Sequence, residues 1–232
     1  FILWHGYRRE RDGDVYWETE LGKGRPAWNV QDPAMISKHL GFRIDIACGG
    51  VDNLYRHHDY NIAVIEGVSG EKFANFWLHG EHVLLNGRKM SKSKGNIVYP
   101  KDLLGREISA AGLRYFLISG HYRKKINLTA EALTEKEGRC RRLRELAGKF
   151  IRPLTADGTA TVESAAAIEA LRNEFESGLN DDLDVERGCE SLLKNLDKLD
   201  KHQKAGELDG GQNERIRKDL LRIDSVLQIL FV

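Results

Sequence analysis

The chain has 232 residues, 41% apolar and 31% charged, and its 36 Lys and Arg against 35 Asp and Glu leave a formal net charge of +1. That composition allows one or two ordinary globular domains and excludes a disordered or collagen-like chain. No apolar run approaches the about 18 residues of a membrane span, and the first residues lack the basic and apolar regions of a leader, so the sequence reads as soluble and cytoplasmic.

From Phe1 to about Tyr99 the punctuation is glycine-rich, with short β-branched and aromatic runs at Phe1 to Glu10, Arg43 to Ala47 and His82 to Leu85. Between the last two, His57 to Glu66 predicts one helix, and the order strand, helix, strand predicts an α/β layer with parallel strands. Beyond Leu103 the apolar residues fall at helical spacing. The stripes are Leu143, Leu146, Phe150; Ile168, Leu171, Phe175, Leu179; Leu192, Leu196, Leu199; and Ile216, Leu220, Ile223, Leu227, Leu230. Steps of three and four place each stripe on one helix face, so the second half reads as a helical bundle whose stripes form its core. Breaks are expected at Pro153 to Gly158, Asn180 to Asp184 and Gly206 to Gly211.

Three cysteines, Cys48, Cys140 and Cys189, lack any close spacing, which supports neither a disulfide framework nor a Cys-rich zinc module. The near-zero net charge conceals local asymmetry: Thr134 to Arg152 is rich in Lys and Arg, whereas Glu174 to Glu190 holds seven acids and one base. Arg123, Lys124 and Lys125 together with Arg139, Arg141, Arg142, Arg144, Lys149 and Arg152 offer a stretch that a phosphate backbone would attract. A solvated helix face is the alternative.

Arg88 to Asn96 reads RKMSKSKGN, with four cations, two hydroxyls and no acid. Lysines on a Ser- and Gly-containing loop suit closure over a polyphosphate, neutralising charge as it builds. Lys89-Met90-Ser91-Lys92-Ser93 matches the KMSKS signature of class I aminoacyl-tRNA synthetases. Around it, Trp77-Leu78-His79-Gly80, Asn86-Gly87, Gly95-Asn96 and Asp102-Leu103-Leu104 resemble cysteinyl-tRNA synthetase. Upstream, Gly24-Arg25-Pro26 with Trp28 and Ala34-Met35, then Asp45-Ile46, Gly49-Gly50, Asp52 and His57-His58, are similar to the same family. Downstream, Leu113 to Phe116, Ser119 to Arg123 and Asn180 to Leu183 continue the likeness, which runs in order over the whole chain.

The resemblance implies the second half of a Rossmann-type nucleotide-binding catalytic domain followed by a helical bundle. It places the end of a connective insertion in residues 1–26, the catalytic half in 27–100, a stem-contact region in 101–130 and an anticodon-binding type of bundle in 131–232. It implies an ATP-dependent ligase, using Mg²⁺, that forms an aminoacyl-adenylate and transfers the aminoacyl group to tRNA. Lys92 and Lys89 would stabilise the departing pyrophosphate, with Met90, Ser91 and Ser93 completing the loop. Gly49, Gly50 and Asp52 would line the nucleotide and amino-acid side, and Trp28 would wall the side-chain pocket. Since the sequence opens without Met, a longer parent protein is expected, with the family's HIGH-type motif upstream and no adenylate formation by this stretch alone.

The likeness fails at one place. The family holds a zinc ion with two Cys, one His and one Glu; here the positions that can be matched are Asp32, His57 and Asn61, and only His57 is a family ligand. Zinc favours thiolate and imidazole, so the reading is that zinc is lost and that Asp32 and Asn61 shape a pocket of altered specificity. Cys48 falls on the nucleotide-side turn and is not taken as a replacement ligand. Alternatives are a paralogue that transfers its amino acid to a small amine, as a cysteine ligase of mycothiol synthesis does, and a non-catalytic tRNA-binding homologue.

Overall fold

The computed structural model describes residues 1–92, 95–105, 107–152 and 158–232. The chain forms two compact units, Phe1–Glu81 and His82–Val232. The division falls within the 27–100 segment and leaves the KMSKS loop in the unit that carries the bundle.

In the first unit, strands β1 (Trp4–Gly6), β2 (Trp17–Thr19) and β3 (Gly22–Pro26) form an antiparallel sheet in the order β1-β3-β2. A short helix, α1 (Arg9–Asp12), supplies its buried anchor. The Asp12 carboxylate accepts from Arg11, from Arg25 of β3 at 2.7 Å and from the Arg8 backbone N–H. These donors hold its pKa far below the usual carboxylate range, the Arg11 hydrogen bond contributing most.

Helix α2 (Trp28–His39) leads to β4 (Ile44–Gly50), which pairs in parallel with β5 (Ala74–Gly80) through the crossover helix α3 (Asp59–Ser69). This is the expected strand, helix, strand unit, and Ala47, Ile65, Phe73 and Ala74 form its core against Ile36, Ile44, Ile62 and Trp77. The helix predicted over His57 to Glu66 forms but changes type within that range: Leu54–His58 is a π-helical turn that passes directly into α3. The wider turn lies where His57 and His58 must be placed. It is the kind of local departure that periodicity alone does not reveal.

In the second unit, β6 (Val83–Leu85) is the centre of a three-stranded sheet. It pairs antiparallel with β7 (Arg88–Lys89) and parallel with β8 (Ile126–Leu128). The β6–β7 hairpin turns on Asn86 and Gly87, both at positive φ (47° and 77°), the Asn-Gly pair that a two-residue hairpin requires. Helices α4 (Pro100–Leu103) and α5 (Ala110–Ser119) lie between β7 and β8 in the chain, and Leu113, Phe116, Leu128 and Leu133 pack with Val83, Leu85 and Ile126 beneath the sheet.

The bundle comprises α6 (Ala130–Phe150), α7 (Val162–Asn180), α8 (Val185–Lys204) and α9 (Gly210–Leu227). Thr129, Thr161, Asp184 and Asp209 begin these helices by accepting a backbone N–H of the first turn, and Ser109 does so for α5. Every stripe residue predicted to be core is buried except Leu179, which is partly so. Leu230 reaches the core from outside a helix. Gln228 at φ 53° ends α9, and the Asp224 carboxylate then accepts from the N–H groups of Ile229, Leu230 and Phe231. The break expected at Pro153 to Gly158 lies outside the described residues apart from Gly158. Among the described residues no helix is long and apolar enough to cross a membrane.

Part of the basic stretch is paired within the chain. Lys136 pairs with Glu186, Arg139 with Glu135 and Glu190, Arg142 with Asp197 and Lys149 with Asp200, so α6 spends much of its charge on the acids of α8.

Candidate functional site

Two groups of candidate residues form, one in each unit. In the first unit, Gly49 and Gly50 end β4 opposite His79 and Gly80 of β5, where loops beyond the carboxyl ends of parallel strands usually bind ligands. A Cβ on Gly49 would lie 2.5 Å from Cε1 of His58, so the space this glycine leaves is filled by that ring. A Cβ on Gly50 would lie 2.8 Å from Oδ1 of Asp52, which follows in a single 3₁₀ turn, Val51–Asn53.

His58 Nδ1 lies 2.8 Å from His79 Nε2, and the Trp77 ring is tilted against His58 at 5.1 Å. Burial, followed by the neighbouring His79 and His57, lowers the pKa of His58; Asp32 and Asp59 oppose the shift. His58 and His79 were absent from the expected site residues. Their only sequence signals are the HH pair and the WLH string, and their contact depends on the β4–β5 register.

Trp28 begins α2, and its indole Nε1 donates to Asp32 Oδ2 at 2.9 Å one turn later. The indole also faces His57, with ring centroids 5.8 Å apart, and is itself 62% exposed. A cavity of about 430 Å³ is bounded by Trp28, Ala27, His5, Arg56, His57 and Tyr60. One turn beyond His57 lies Asn61, which is buried; its Oδ1, like His57 Nδ1, has no hydrogen-bond partner among the described residues. The structure therefore brings Trp28, Asp32 and His57 together, with Asn61 just behind.

In the second unit, Lys89 ends β7 and the loop leaves from it. Asn96 ties the loop together: its Oδ1 accepts from Ser91 N at 2.9 Å and its Nδ2 donates to Lys89 O at 3.2 Å. Gly95, at φ 63°, donates to Lys92 O. Lys89 Nζ donates to His82 Nε2 at 2.9 Å, while Lys92 is exposed. Ser93 lies outside the described residues. Asn96 is thus a positioning element that the signature itself does not name.

Several solved structures share this architecture. A leucyl-tRNA synthetase of Agrobacterium radiobacter K84, in a ternary complex with tRNA and LeuAMS, superposes with a TM-score of 0.69 at 14% identity, over 95% of this chain and 33% of that one. Methionyl-tRNA synthetase of Mycobacterium tuberculosis bound by methionyl-adenylate gives 0.58 at 19% identity, over 80% and 42%. The fold is that of the class I tRNA synthetases.

The family model of the class I (C) tRNA synthetase catalytic domain matches residues 1–138. Cysteine–tRNA ligase of Chlamydia pneumoniae is 38% identical over 99% of this chain and 48% of its own length, and that of Brachyspira hyodysenteriae is 47% identical over 63% and 31%. The chain belongs to the cysteinyl-tRNA synthetase family. It spans about half the length of the curated Chlamydia relatives it matches.

The zinc ion that the resemblance implies has a poor donor set in this chain. Asp32 offers a carboxylate with one oxygen bonded to an indole, Asn61 an amide and His57 an imidazole, so no thiolate is among them. Among the described residues no three His, Cys, Asp or Glu side chains are arranged to hold a metal, and Cys48 is an exposed free thiol.

Proposed function

We propose that the protein containing this chain activates an amino acid with ATP and Mg²⁺, forming an aminoacyl-adenylate, and passes the aminoacyl group to tRNA. The observation that carries this reading is the loop from Lys89 to Asn96, a cationic segment closed on itself by one asparagine and launched from a tight hairpin. Such a loop gives Lys92 and Lys89 a defined origin from which to neutralise the pyrophosphate as it leaves, which is stabilisation of developing charge. Met90, Ser91 and Ser93 complete it. In the first unit, Gly49, Gly50 and Asp52 bind on the nucleotide side, Asp52 offering a carboxylate to a hydroxyl or an ammonium group.

Trp28, Asp32, His57 and Asn61 line the amino-acid pocket. We read this pocket as working without zinc, because a carboxylate, Asp32, stands where the family has a thiolate and an amide, Asn61, where it has a carboxylate. A metal-bound thiolate would then not be the recognition device, and a side chain able to hydrogen bond suits the polar atoms present. Residues 101–130 serve as a stem-contact region and 131–232 as the tRNA-binding bundle.

The test is amino-acid-dependent ATP–pyrophosphate exchange by the full-length protein, with each of the twenty amino acids, zinc determined on the same sample, and product formation measured with and without tRNA. Exchange that collapses in Lys92→Ala supports the reading. No exchange with any amino acid would overturn it, and product without tRNA would point to a small-amine acceptor. The 232-residue chain alone is expected to show no exchange above its own Lys92→Ala control.

A further inference from the structure

Asp181, Asp182 and Asp184 crowd the turn between α7 and α8, yet their carboxylates go to different places. Asp181 accepts from Arg187 at 2.5 Å, and Asp184 caps α8 by accepting from Arg187 N. Both bonds stay within the turn and the helix it starts. Asp182 instead reaches 59 and 60 residues back: its Oδ2 accepts from Arg123 Nε at 2.6 Å, and its Oδ1 accepts from Tyr122 OH at 2.7 Å and from a terminal guanidinium nitrogen of Arg123 at 3.2 Å. His121 Nε2 stands 3.7 Å from the same carboxylate.

Asp182 and Leu183 both have positive φ, at 52° and 59°. Two consecutive non-glycine residues in the left-handed region are strained, and such strain persists only where the surroundings enforce it. An exposed ion pair supplies little stability in return. What the strained turn does secure is the direction of one carboxylate.

The segment that Asp182 holds is the entry to β8. Arg123 precedes Ile126 by three residues; Asn127 of β8 pairs with Leu84 of β6, and Leu84 pairs on its other side with Lys89. Asn127 Oδ1 also accepts from Gly87 N at 2.7 Å, in the turn of the hairpin from which the KMSKS loop leaves. Each link is a hydrogen bond or a few residues of chain, all within one compact unit.

We propose that Asp182 is a positioning residue for the KMSKS loop, acting through Arg123, β8 and Asn127 on the β6–β7 hairpin. This rests on the function proposed above for that loop. The bundle thereby sets the placement of Lys89 and Lys92.

The test uses the full-length protein carrying Asp182→Asn, which tolerates the same backbone conformation, and Arg123→Gln, which leaves the residues of the turn itself unchanged. Trypsin cleavage within the loop and ATP–pyrophosphate exchange are followed, together with the melting temperature. Each variant is expected to speed loop cleavage and lower kcat for exchange by about 2- to 30-fold, the range spanned by known coupling effects, at nearly unchanged melting temperature. The double variant should be no worse than either single one. Unchanged cleavage and exchange, or losses that merely track the melting temperature, would overturn the proposal. If the wild-type protein shows no exchange, the functional reading fails, while loop cleavage still decides the positioning role.

Discussion

Arg142 on α6 donates to Asp197 on α8 at 2.6 Å, so a cation from the most basic stretch of the chain faces the neighbouring helix. Exposed pairs of this kind contribute little each, commonly under about 1 kcal/mol. Along α6 and α8 they nevertheless offset part of the positive charge of the stretch. Lys124 and Lys125, between α5 and β8, are exposed and enter none of the ion pairs described.

Lys124→Glu with Lys125→Glu in the full-length protein should therefore weaken tRNA binding and flatten its dependence on salt, because each lost phosphate contact removes about one unit of slope. Arg142→Glu should have a smaller effect on binding and lower stability by under about 1 kcal/mol. Filter binding over a range of salt, with urea unfolding of the same proteins, separates the two. A larger binding loss from Arg142→Glu would restore the basic stretch as the RNA contact.

Gly49 is required by its neighbour. Its would-be Cβ meets the His58 ring at 2.5 Å, and that ring is held by His79, so it cannot simply swing away. Gly49→Ala should cost about 1–3 kcal/mol, as overpacking of a filled site does. Gly67, in α3 with open space around its would-be Cβ, is the control: Gly67→Ala should be neutral or stabilising. Urea midpoints of the two variants decide this, and equal midpoints would show that the His58 ring yields.

Buried Glu137 of α6 joins two helices. Its Oε2 accepts from Ser109 N at 3.0 Å and Ser109 Oγ at 2.9 Å, while Ser109 Oγ accepts from Gly112 N at the start of α5. Arg141 flanks it at 3.5 Å. Glu137→Ala would leave the Ser109 N–H without its acceptor and should destabilise by about 1–3 kcal/mol, whereas Glu137→Gln keeps an acceptor and should cost less. Thermal unfolding of both checks the order.

How far these relations were legible in the sequence depends on their range. The stripe from Ile216 to Leu227 was readable because a helix that must bury one face repeats that need every three or four residues. Leu230 continued the count but arrives in the core through a chain reversal at Gln228, which no period encodes. The cationic signature was legible as a string; the role of Asn96 was not, since closing a loop on Ser91 and Lys89 is a matter of backbone geometry. The acids and bases of α8 and α6 were visible only as opposite runs. Their mutual pairing, across 50 or so residues, appears once the helices pack.

The least legible contact, between His58 and His79, leads to a pH dependence. The two rings are 21 residues apart and meet because β4 and β5 pair with Gly49 opposite His79. His58 is faced by His79 and His57, which lower its pKa further after burial has done most, and by Asp32 and Asp59, which raise it. Its folded pKa thus lies below the ordinary 6.5 of the unfolded chain. Below that value the unfolded chain binds the proton more readily, so the stabilising contribution is full above about pH 6.5 and is lost as pH falls toward the folded pKa. Urea midpoints of the wild-type protein should therefore fall between pH 7.5 and pH 5 more steeply than those of His58→Gln, which retains polar groups but does not titrate. Parallel curves would show that folding does not lower the His58 pKa, and an imidazole resonance of His58 titrating above about 6.5 would show that the pair favours the charged form.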